Sequence, residues 1–479
     1  MKFNVRTLSL AIPSLLVGIA TVLVWDITPE SWKIHQLLSH ALNNLHIGLI
    51  PLLLLGCTRA IYEFDDNSFI TVRSMDWSDP NMSLSLWASL SGKQRVGAHP
   101  ERKGEALTWE SKYSSVVVCC YGMATTDGMN EKGLVTNLHF LPTAYYGEYN
   151  LEDGRPRLAL SAWAQYVLDN YATVKEAVED LKNEEFTLFT RSIPFLSQGE
   201  NPGVAEKGKA IVLHLGISDA DGDSAILQYV KKDGQSSLNI YHAYEHDDEP
   251  KYRVMTNSPY EDQIEIIEEF KDKGWNTQDF SWDALKTQTL GGTIVKEMTP
   301  PMNGANIRFI RASFFTDMLE KINIERAFLK ENPQKEDDFF TEPWSQEEGI
   351  ARAFSLIRNM STPLNVKSLD NPFLSSTLWR SVADQKNKLY FLETTRSIYP
   401  IYVNLTELFQ DMKDSEDPNK SDTYKLVLSE PPTEKDGPRV DLQVDQMKDK
   451  KKIGLVNEEF EPSPGGAWFD FDPDPSLEA

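Results

Sequence analysis

Gly56-Cys57-Thr58-Arg59 and Phe69-Ile-Thr-Val-Arg73-Ser-Met-Asp76-Trp77 are the stretches that decide the fold of this chain. The residues that follow the first stretch, and those of the second stretch itself, are rich in β-branched and aromatic side chains. A short polar segment separates the two, so we predict a β-hairpin. The returning strand of an antiparallel hairpin ends beside the start of the first strand. We therefore expect Arg73 and Asp76 to lie close to Cys57.

Cys57 itself follows an apolar leader that leaves three interpretations open. Residues 8–25 and 46–56 are apolar runs behind a basic start, a pattern typical of an export signal or a membrane anchor. If the chain is cut before Cys57, this residue carries both a thiol nucleophile and a free α-amine base. Leu54-Leu55-Gly56-Cys57 also resembles the box of bacterial lipoproteins, whose cysteine is acylated at both groups. In the third interpretation Cys57 is an ordinary small residue of the leader.

The whole chain divides into three predicted regions: an apolar leader at 1–56, a folded domain at 57–430 and an acidic tail at 431–479. In the domain, short β-like runs alternate with helical periods such as those from Leu158 to Leu168 and from Arg308 to Ile322, and residues 127–133, which begin with Asp-Gly, are predicted to form a turn. Clustered strands with helices between them favour an α+β layered domain. Because Pro, Asp, Glu and Lys dominate the tail, we predict that it is disordered.

Composition excludes several function classes. A net charge of −24 in 479 residues repels phosphate backbones, so we expect no nucleic acid partner. Three cysteines cannot build a disulfide framework, and the eight histidines show no metal-ligand spacing. Residues 219–223 alternate Asp like a calcium loop but lack its later Gly and Glu, which predicts a hairpin turn. We expect no metal and no cofactor, with His214 packed in a strand and His242 solvated.

Six segments resemble, in the same order, those of the choloylglycine hydrolase family of N-terminal-nucleophile hydrolases. They are Cys57-Thr-Arg59, Arg73-Ser-Met-Asp-Trp77, Thr126-Asp-Gly-Met-Asn-Glu-Lys-Gly-Leu134, Leu213–Asp219, Met255-Thr-Asn-Ser-Pro259 and Arg308-Phe-Ile-Arg311. Two more stretches, 163–170 and 378–384, look most like the penicillin V acylase branch of Gram-negative bacteria. The resemblance covers about residues 57–430. It implies a four-layer αββα sandwich that hydrolyses linear amides, and it suggests a homotetramer.

The resemblance also implies a role for each of five residues. Cys57 is the nucleophile, Arg73 stabilises its thiolate and Asp76 holds the α-ammonium. Asn257 donates to the tetrahedral oxyanion, and Arg308 orients the charges of the site. The chemistry fits the residue types, because a thiol and an α-amine titrate within roughly one unit of each other and a guanidinium favours the thiolate.

One departure concerns the acyl pocket. Bile salt hydrolases of the family have an asparagine where ungapped alignment from Gly133 places Phe140, with His139 next to it, whereas penicillin V acylases have an aromatic residue there. A phenyl ring cannot donate a hydrogen bond, so we expect Phe140 to shape an apolar pocket. Trp77, Trp87, His139 and Tyr62 are further candidates for its wall.

These features predict a cysteine amidohydrolase that cleaves a linear amide through a thioester on Cys57. Its expected substrates are small N-acyl amides, as for a penicillin V acylase or an acyl-homoserine lactone acylase. The alternatives are a conjugated bile salt hydrolase, which Phe140 argues against, and an inactive envelope lipoprotein or binding protein. We expect a periplasmic or secreted protein after removal of the leader, a precursor that is anchored only through the leader, and no other membrane contact.

Overall fold

The structure is a computed structural model. It describes residues 56–65, 68–77, 79, 82–97, 106–147, 154–190, 192–193, 209–243, 253–272, 289–290, 293–294, 304–331, 345–364, 375–397, 399–416, 420–429 and 454–463. The predicted leader therefore lies almost entirely outside the described residues. None of the helices within the described ranges has both the length and the apolar character needed to cross a membrane.

Strands and helices of the described residues are numbered here in chain order. The strands are β1 Thr58–Asp65, β2 Ser68–Trp77, β3 Leu84–Ser89, β4 Gln94–Val96, β5 Thr108–Glu110, β6 Ser115–Cys120, β7 Ala124–Asn130, β8 Val135–Phe140, β9 Arg157–Ala159, β10 Thr187–Phe189, β11 Ser192–Ile193, β12 Lys209–Ala210, β13 Leu213–Ser218, β14 Ser224–Lys232, β15 Gln235–His242, β16 Val254–Met255, β17 Thr289–Leu290, β18 Thr293–Ile294, β19 Ser376–Asp384, β20 Leu389–Thr394, β21 Ile401–Asn404, β22 Thr423–Ser429, β23 Gly454–Leu455 and β24 Glu461–Pro462. The helices are α1 Trp163–Asn170, α2 Val174–Leu181, α3 Tyr260–Asp272, α4 Ala305–Glu331, α5 Gln346–Asn359 and α6 Leu405–Asp414.

Two large sheets form the middle of the domain. One has seven strands in the order β16-β1-β2-β19-β20-β21-β23, and the other has nine in the order β15-β14-β13-β8-β7-β6-β3-β22-β24. The predicted hairpin is confirmed, because β1 and β2 pair antiparallel with Thr58 opposite Ser74 and Arg59 opposite Arg73. The next strand in space, β19, pairs with the other side of β2. This central position buries β2 on both faces.

Three apolar clusters define four layers. One cluster, which includes Cys57, joins residues of the two sheets to each other. A second covers the outer face of the nine-stranded sheet with α1 and α2, and a third covers the outer face of the seven-stranded sheet with α3, α4 and α5. Each sheet packs against the other sheet on its inner face and against helices on its outer face, which gives an αββα arrangement. The predicted α+β fold with four layers is confirmed.

Two local predictions need correction. Asp127 does not lie in a turn, because β7 runs from Ala124 to Asn130 and the turn to β8 follows it. The helix expected from Leu158 begins only at Trp163, since residues 157–159 pair in parallel with β10. β7 pairs with its sequence neighbours β6 and β8, whereas β9 takes its partner β10 from beyond two helices, which the local periodicity does not reveal.

The prediction of a disordered tail is wrong for residues 454–463. Within this segment β23 pairs with β21 of the seven-stranded sheet, and β24 pairs with β22 of the nine-stranded sheet. Val456 and Phe460 are buried in the apolar cluster between the sheets. A few apolar residues are enough to order a segment when two sheet edges supply its hydrogen bonds. The remaining parts of the tail lie outside the described residues.

Candidate active site

Cys57 lies at the entry to β1 and is buried, with 2% of its surface exposed. Its Sγ is 3.6 Å from Met75 Sδ, 3.9 Å from the Asp76 carbonyl oxygen and 3.7 Å from Arg73 Nη2. All three neighbours come from the end of β2, where the antiparallel register returns the chain to its start. The hairpin therefore brings Arg73 and Asp76 close to Cys57, as predicted.

The Arg73 guanidinium is completely buried beside this sulfur. Nη2 donates to the Leu138 carbonyl oxygen at 3.0 Å and contacts Met75 Sδ at 2.9 Å. Nη1 is 3.6 Å from Asp127 Oδ2, and the guanidinium carbon lies 4.2 Å from the centre of the Trp379 ring. A cation held out of water next to a thiol stabilises the thiolate form of that thiol.

Asp127, which the sequence did not single out, is the counterion of Arg73. Its carboxylate accepts hydrogen bonds from Asn137 Nδ2 at 2.7 Å, Tyr390 Oη at 2.5 Å and Ser381 Oγ at 3.2 Å. Burial raises the pKa of Asp127, and Arg73 together with these donors opposes that rise. The only sequence signal was its place in the third matched segment. These contacts join β7 and β8 of one sheet to β19 and β20 of the other.

Arg308, in the first turn of α4, contacts the opposite side of Cys57. Its Nη1 donates to the Cys57 carbonyl oxygen and, at 2.7 Å, to Thr58 Oγ1. Its Nη2 donates to Asn257 Oδ1 at 3.2 Å. The guanidinium also fills the space in which a Cβ on Gly56 would lie. Arg308 thus fixes the backbone on both sides of the Gly56–Cys57 junction.

Asn257 follows β16, the strand that pairs with β1 on the side away from β2. Its side chain is held at both ends, because Oδ1 accepts from Arg308 and Nδ2 donates to the Phe140 carbonyl oxygen at 2.7 Å. The first of these contacts fixes which end of the amide is the donor. An amide N–H presented in this way can donate to a developing oxyanion.

Asp76 is buried, and its carboxylate accepts a hydrogen bond from Thr377 Oγ1 at 2.6 Å. Burial raises the pKa of Asp76 to about 6, although Arg308 and the Thr377 hydroxyl oppose the rise. The backbone amide of Cys57 in the uncut chain carries no charge that would stabilise this carboxylate. An α-ammonium formed by cutting the Gly56–Cys57 bond would lower that pKa if it lay beside the carboxylate.

Two of the predicted pocket residues lie together in the cluster that contains Cys57. The rings of Trp77 and Phe140 meet edge to face with centroids 6.3 Å apart. Trp77 Nε1 donates to Tyr121 Oη at 2.8 Å, and Tyr121 in turn donates to Asp79 Oδ2 at 3.1 Å. Tyr121 was missed by the sequence analysis. Its backbone has φ 58°, the left-handed region that non-glycine residues seldom adopt.

The other three candidates for the pocket wall lie elsewhere. Trp87 packs on the outer face of the nine-stranded sheet, under Lys425, and Tyr62 donates to the Gly349 carbonyl oxygen among the helices. His139 precedes Phe140 on β8, so its side chain points to the opposite face of the strand. The His139 ring meets the His214 ring edge to face. Burial, with Arg73 nearby, lowers the pKa of His139 well below its ordinary value.

Within the described ranges no group of acidic, cysteine or histidine side chains could hold a metal ion. The turn at residues 219–223 joins β13 to β14, and Asp219 accepts hydrogen bonds from the backbone of Asp221 and Asp223. His214 is buried in β13 as expected. The prediction of a solvated His242 is wrong, because this residue is buried and pairs with Asp223 at 2.7 Å.

Comparison with known proteins places this geometry in a family. The sequence profile of the linear amide C–N hydrolases, choloylglycine hydrolase family, matches residues 57–333. The chain is 34% identical over 375 residues to the penicillin V acylase of Pectobacterium atrosepticum, covering 77% of this chain and 86% of that protein. The chain belongs to the choloylglycine hydrolase family. It is accordingly a hydrolase of carbon–nitrogen bonds in linear amides.

Two further members of the family are similar to this chain. The structure of penicillin V acylase from Agrobacterium tumefaciens superposes with a TM-score of 0.58 at 31% identity, covering 85% of this chain and 98% of that one. A bile salt hydrolase/transferase of Clostridium perfringens is 28% identical over 199 residues, which is 41% of this chain and 53% of that protein. The sequence comparisons confirm the predicted family, and the superposition on the penicillin V acylase structure confirms its fold.

Proposed function

We propose that this chain is a cysteine N-terminal-nucleophile amidohydrolase that acts through a thioester on Cys57. The observation that carries the proposal is the contact of Cys57 Sγ with Arg73 Nη2, with Arg308 bonded to the carbonyl oxygen of the same residue. The family profile also begins its match at residue 57. A buried thiol beside a buried guanidinium, with a second guanidinium on the backbone of the same residue, is an arrangement that activates a sulfur nucleophile.

In the proposed first step the thiol of Cys57 passes its proton to its own α-amine, and Sγ attacks the carbonyl carbon of the substrate. Arg73 stabilises the thiolate electrostatically. Asp76, whose carboxylate is held by Thr377, stabilises the α-ammonium that results. Because burial places the pKa of Asp76 at about 6, this carboxylate is ionised near neutral pH.

The tetrahedral intermediate then carries a negative oxygen. Asn257 is proposed as its donor, with backbone N–H groups supplying the rest. The Phe140 carbonyl oxygen, which now accepts from Asn257 Nδ2, occupies one of the two N–H directions of that amide. The second N–H of the same group remains for the oxyanion. Loss of one such donor typically lowers the rate by about 10²–10³-fold.

Collapse of the intermediate breaks the carbon–nitrogen bond. The α-ammonium of Cys57 returns its proton to the leaving nitrogen, the amine product departs and the acyl group remains as a thioester on Sγ. Water then attacks the thioester with the α-amine as general base, and the carboxylic acid is released. Every proton transfer in these reaction steps uses the α-amine of Cys57, so the mechanism requires cleavage of the Gly56–Cys57 bond.

The proposed substrate is a small N-acyl amide with an apolar or aromatic acyl group. Trp77 and Phe140 support this choice, because their rings lie in the same apolar cluster as Cys57. The names of the two similar penicillin V acylases favour the phenoxyacetyl group of penicillin V, and the acyl chain of an acyl-homoserine lactone is likewise apolar. His139, Trp87 and Tyr62 are not part of the proposed pocket.

The proposed mechanism requires removal of the leader, and the apolar character of the leader supports export. We propose that residues 1–56 are removed, that the catalytic domain begins at Cys57, and that the mature enzyme is periplasmic or secreted. We also propose a homotetramer, a state that rests on the family resemblance alone. Light scattering of the mature protein measures the last point directly, and a stable monomer would contradict it.

The deciding experiment combines mass and activity. Intact-mass analysis of the protein from its host should give a chain that begins at unmodified Cys57, and Cys57→Ser should nearly abolish hydrolysis of penicillin V and of an acyl-homoserine lactone. A chain that retains residues 1–56, or a lipidated Cys57, contradicts the proposal and favours the envelope lipoprotein. Faster hydrolysis of a glycine-conjugated bile acid than of either amide would favour the bile salt hydrolase.

A further inference from the structure

The Arg73 guanidinium lies between two groups that compete for it. Nη2 is 3.7 Å from Cys57 Sγ, and Nη1 is 3.6 Å from Asp127 Oδ2. The hydrogen bonds of Arg73 do not fix which of the two groups it stays beside. Within the described residues only Nη2 donates, and Nε and Nη1 have no hydrogen-bond partner. A small rotation would bring Nη1 onto Asp127 and take Nη2 away from the sulfur. Something else must hold the plane of the group.

The ring of Trp379 is in the position to do so. Trp379 lies on β19 directly opposite Met75 of β2, so its side chain shares the inner face of the sheet with Arg73. Its ring centre is 4.2 Å from the Arg73 guanidinium carbon, and 1% of the residue is exposed. The indole N–H of Trp379 has no hydrogen-bond partner within the described residues. The ring, and not its polar atom, therefore makes the contact with Arg73.

We propose that Trp379 is a positioning residue for the reaction: its ring holds the Arg73 guanidinium beside the Cys57 sulfur and away from Asp127. A cation over an aromatic ring out of water is one of the stronger contacts of this type, and its geometry restricts tilting of the guanidinium plane. The inference rests on the proposed roles of Cys57 and Arg73. It adds a residue that acts through Arg73 and touches neither substrate nor sulfur.

Several other ionisable groups face Arg73 and act on any pH measurement. They are Asp127 on β7, His139 on β8, Tyr390 on β20, Asp76 on β2 and Cys120 on β6. Burial keeps His139 neutral and raises the pKa values of Tyr390 and Cys120. The α-amine of mature Cys57 titrates in the parent and in every variant alike, so a difference between their Cys57 reactivity profiles above pH 7 reports on Arg73.

The experiment measures the alkylation rate of Cys57 by iodoacetamide against pH in the mature enzyme, with peptide mass analysis to separate Cys57 from Cys119 and Cys120. Trp379→Leu removes the ring, and Trp379→Phe keeps a smaller ring without loss of any hydrogen bond. We expect the midpoint of the profile to rise by about one pH unit for Leu, which is about a tenfold loss of rate below the midpoint. The Phe variant should lie between Leu and the parent.

Trp163→Leu is the matched control, because Trp163 is equally buried but lies at the start of α1 and packs against Tyr229. It should lower the thermal midpoint without moving the alkylation profile. Profiles of both Trp379 variants that coincide with the parent, with only a loss of thermal stability, would overturn the inference. If Trp379→Leu does not fold, the Phe variant decides alone in the same way. Activity retained by Cys57→Ser would instead contradict the proposed function, so the two failures are distinguishable.

Discussion

Two substitutions of Asn257 are predicted to rank in one order by unfolding free energy and in the reverse order by kcat. Its Oδ1 accepts from Arg308 Nη2 at 3.2 Å, and its Nδ2 donates to the Phe140 carbonyl oxygen at 2.7 Å. Asn257→Ala removes both contacts, whereas Asn257→Asp keeps the acceptor for Arg308 and removes every N–H. The two variants therefore separate the role of this residue in the fold from its role as a donor.

The magnitudes follow from these contacts. Alanine leaves the Arg308 donor and the Phe140 acceptor buried without this partner, at about 1 to 3 kcal/mol of unfolding free energy each. Aspartate leaves only the Phe140 acceptor and strengthens the pair with Arg308, so its loss of stability should be smaller. For turnover, alanine should lower kcat by about 10²–10³-fold, and aspartate by at least as much because its charge opposes the oxyanion.

The assay is urea unfolding together with steady-state hydrolysis of a phenoxyacetyl amide. We expect the stability order parent, Asp, Ala, and the kcat order parent, Ala, Asp, with KM changing far less than kcat. Asn130→Ala is the matched control, because Asn130 is a buried asparagine that donates to the Leu168 and Tyr171 carbonyl oxygens far from Cys57. It should lose stability and keep its kcat. A kcat within tenfold of the parent for Asn257→Asp would refute the donor role.

Three further predictions follow. Because burial raises the pKa of Asp76 from 3.8 to about 6, the folded uncut chain binds more protons than the unfolded chain in that window and loses stability as pH rises through it. Asp76→Asn should remove this loss, a gain of roughly 2 to 3 kcal/mol at pH 7 by urea unfolding, and equal pH slopes would contradict it. Gly56→Ala should overlap the Arg308 guanidinium and destabilise the uncut chain by about 1 to 3 kcal/mol, whereas the mature enzyme, which lacks residue 56, should be unchanged in kcat. Phe460→Ala should lower the unfolding free energy by about 3 kcal/mol, whereas Glu461→Ala, at an exposed position, should have little effect.

The sequence predicted the fold class and the parts of the site that lie close together along the chain or in ordered motifs. The hairpin is local, so the approach of Arg73 to Cys57 needed only the strand pattern and a turn. Asn257 and Arg308 came from matched segments, and in the structure Arg308 bonds both the Cys57 carbonyl oxygen and the Asn257 side chain. Their contacts could not come from the local pattern, because about 200 or more residues separate each of them from Cys57.

The missed and misplaced residues share a physical cause. Which face of a strand meets the other sheet depends on pairing partners that local sequence does not encode, and a shift by one residue reverses every side chain. Trp87 and His139 therefore looked as suitable as Phe140, although Trp87 packs on the outer face of the nine-stranded sheet and His139 meets His214. Asp127 looked like a turn residue because Asp-Gly is a common turn pair.

The buried charges around Cys57 link the two halves of the proposed mechanism. Arg59, Arg73 and Arg308 are fully buried, and the buried carboxylates of Asp76 and Asp127 interact electrostatically with them. With a neutral thiol this set carries one positive charge in excess, and burial of an uncompensated charge is costly. A thiolate on Cys57 removes the excess, whereas an added α-ammonium restores it. The proposed transfer of the thiol proton to the α-amine therefore keeps the net charge of the set unchanged, with Arg73 beside the thiolate and Asp76 available to stabilise the α-ammonium.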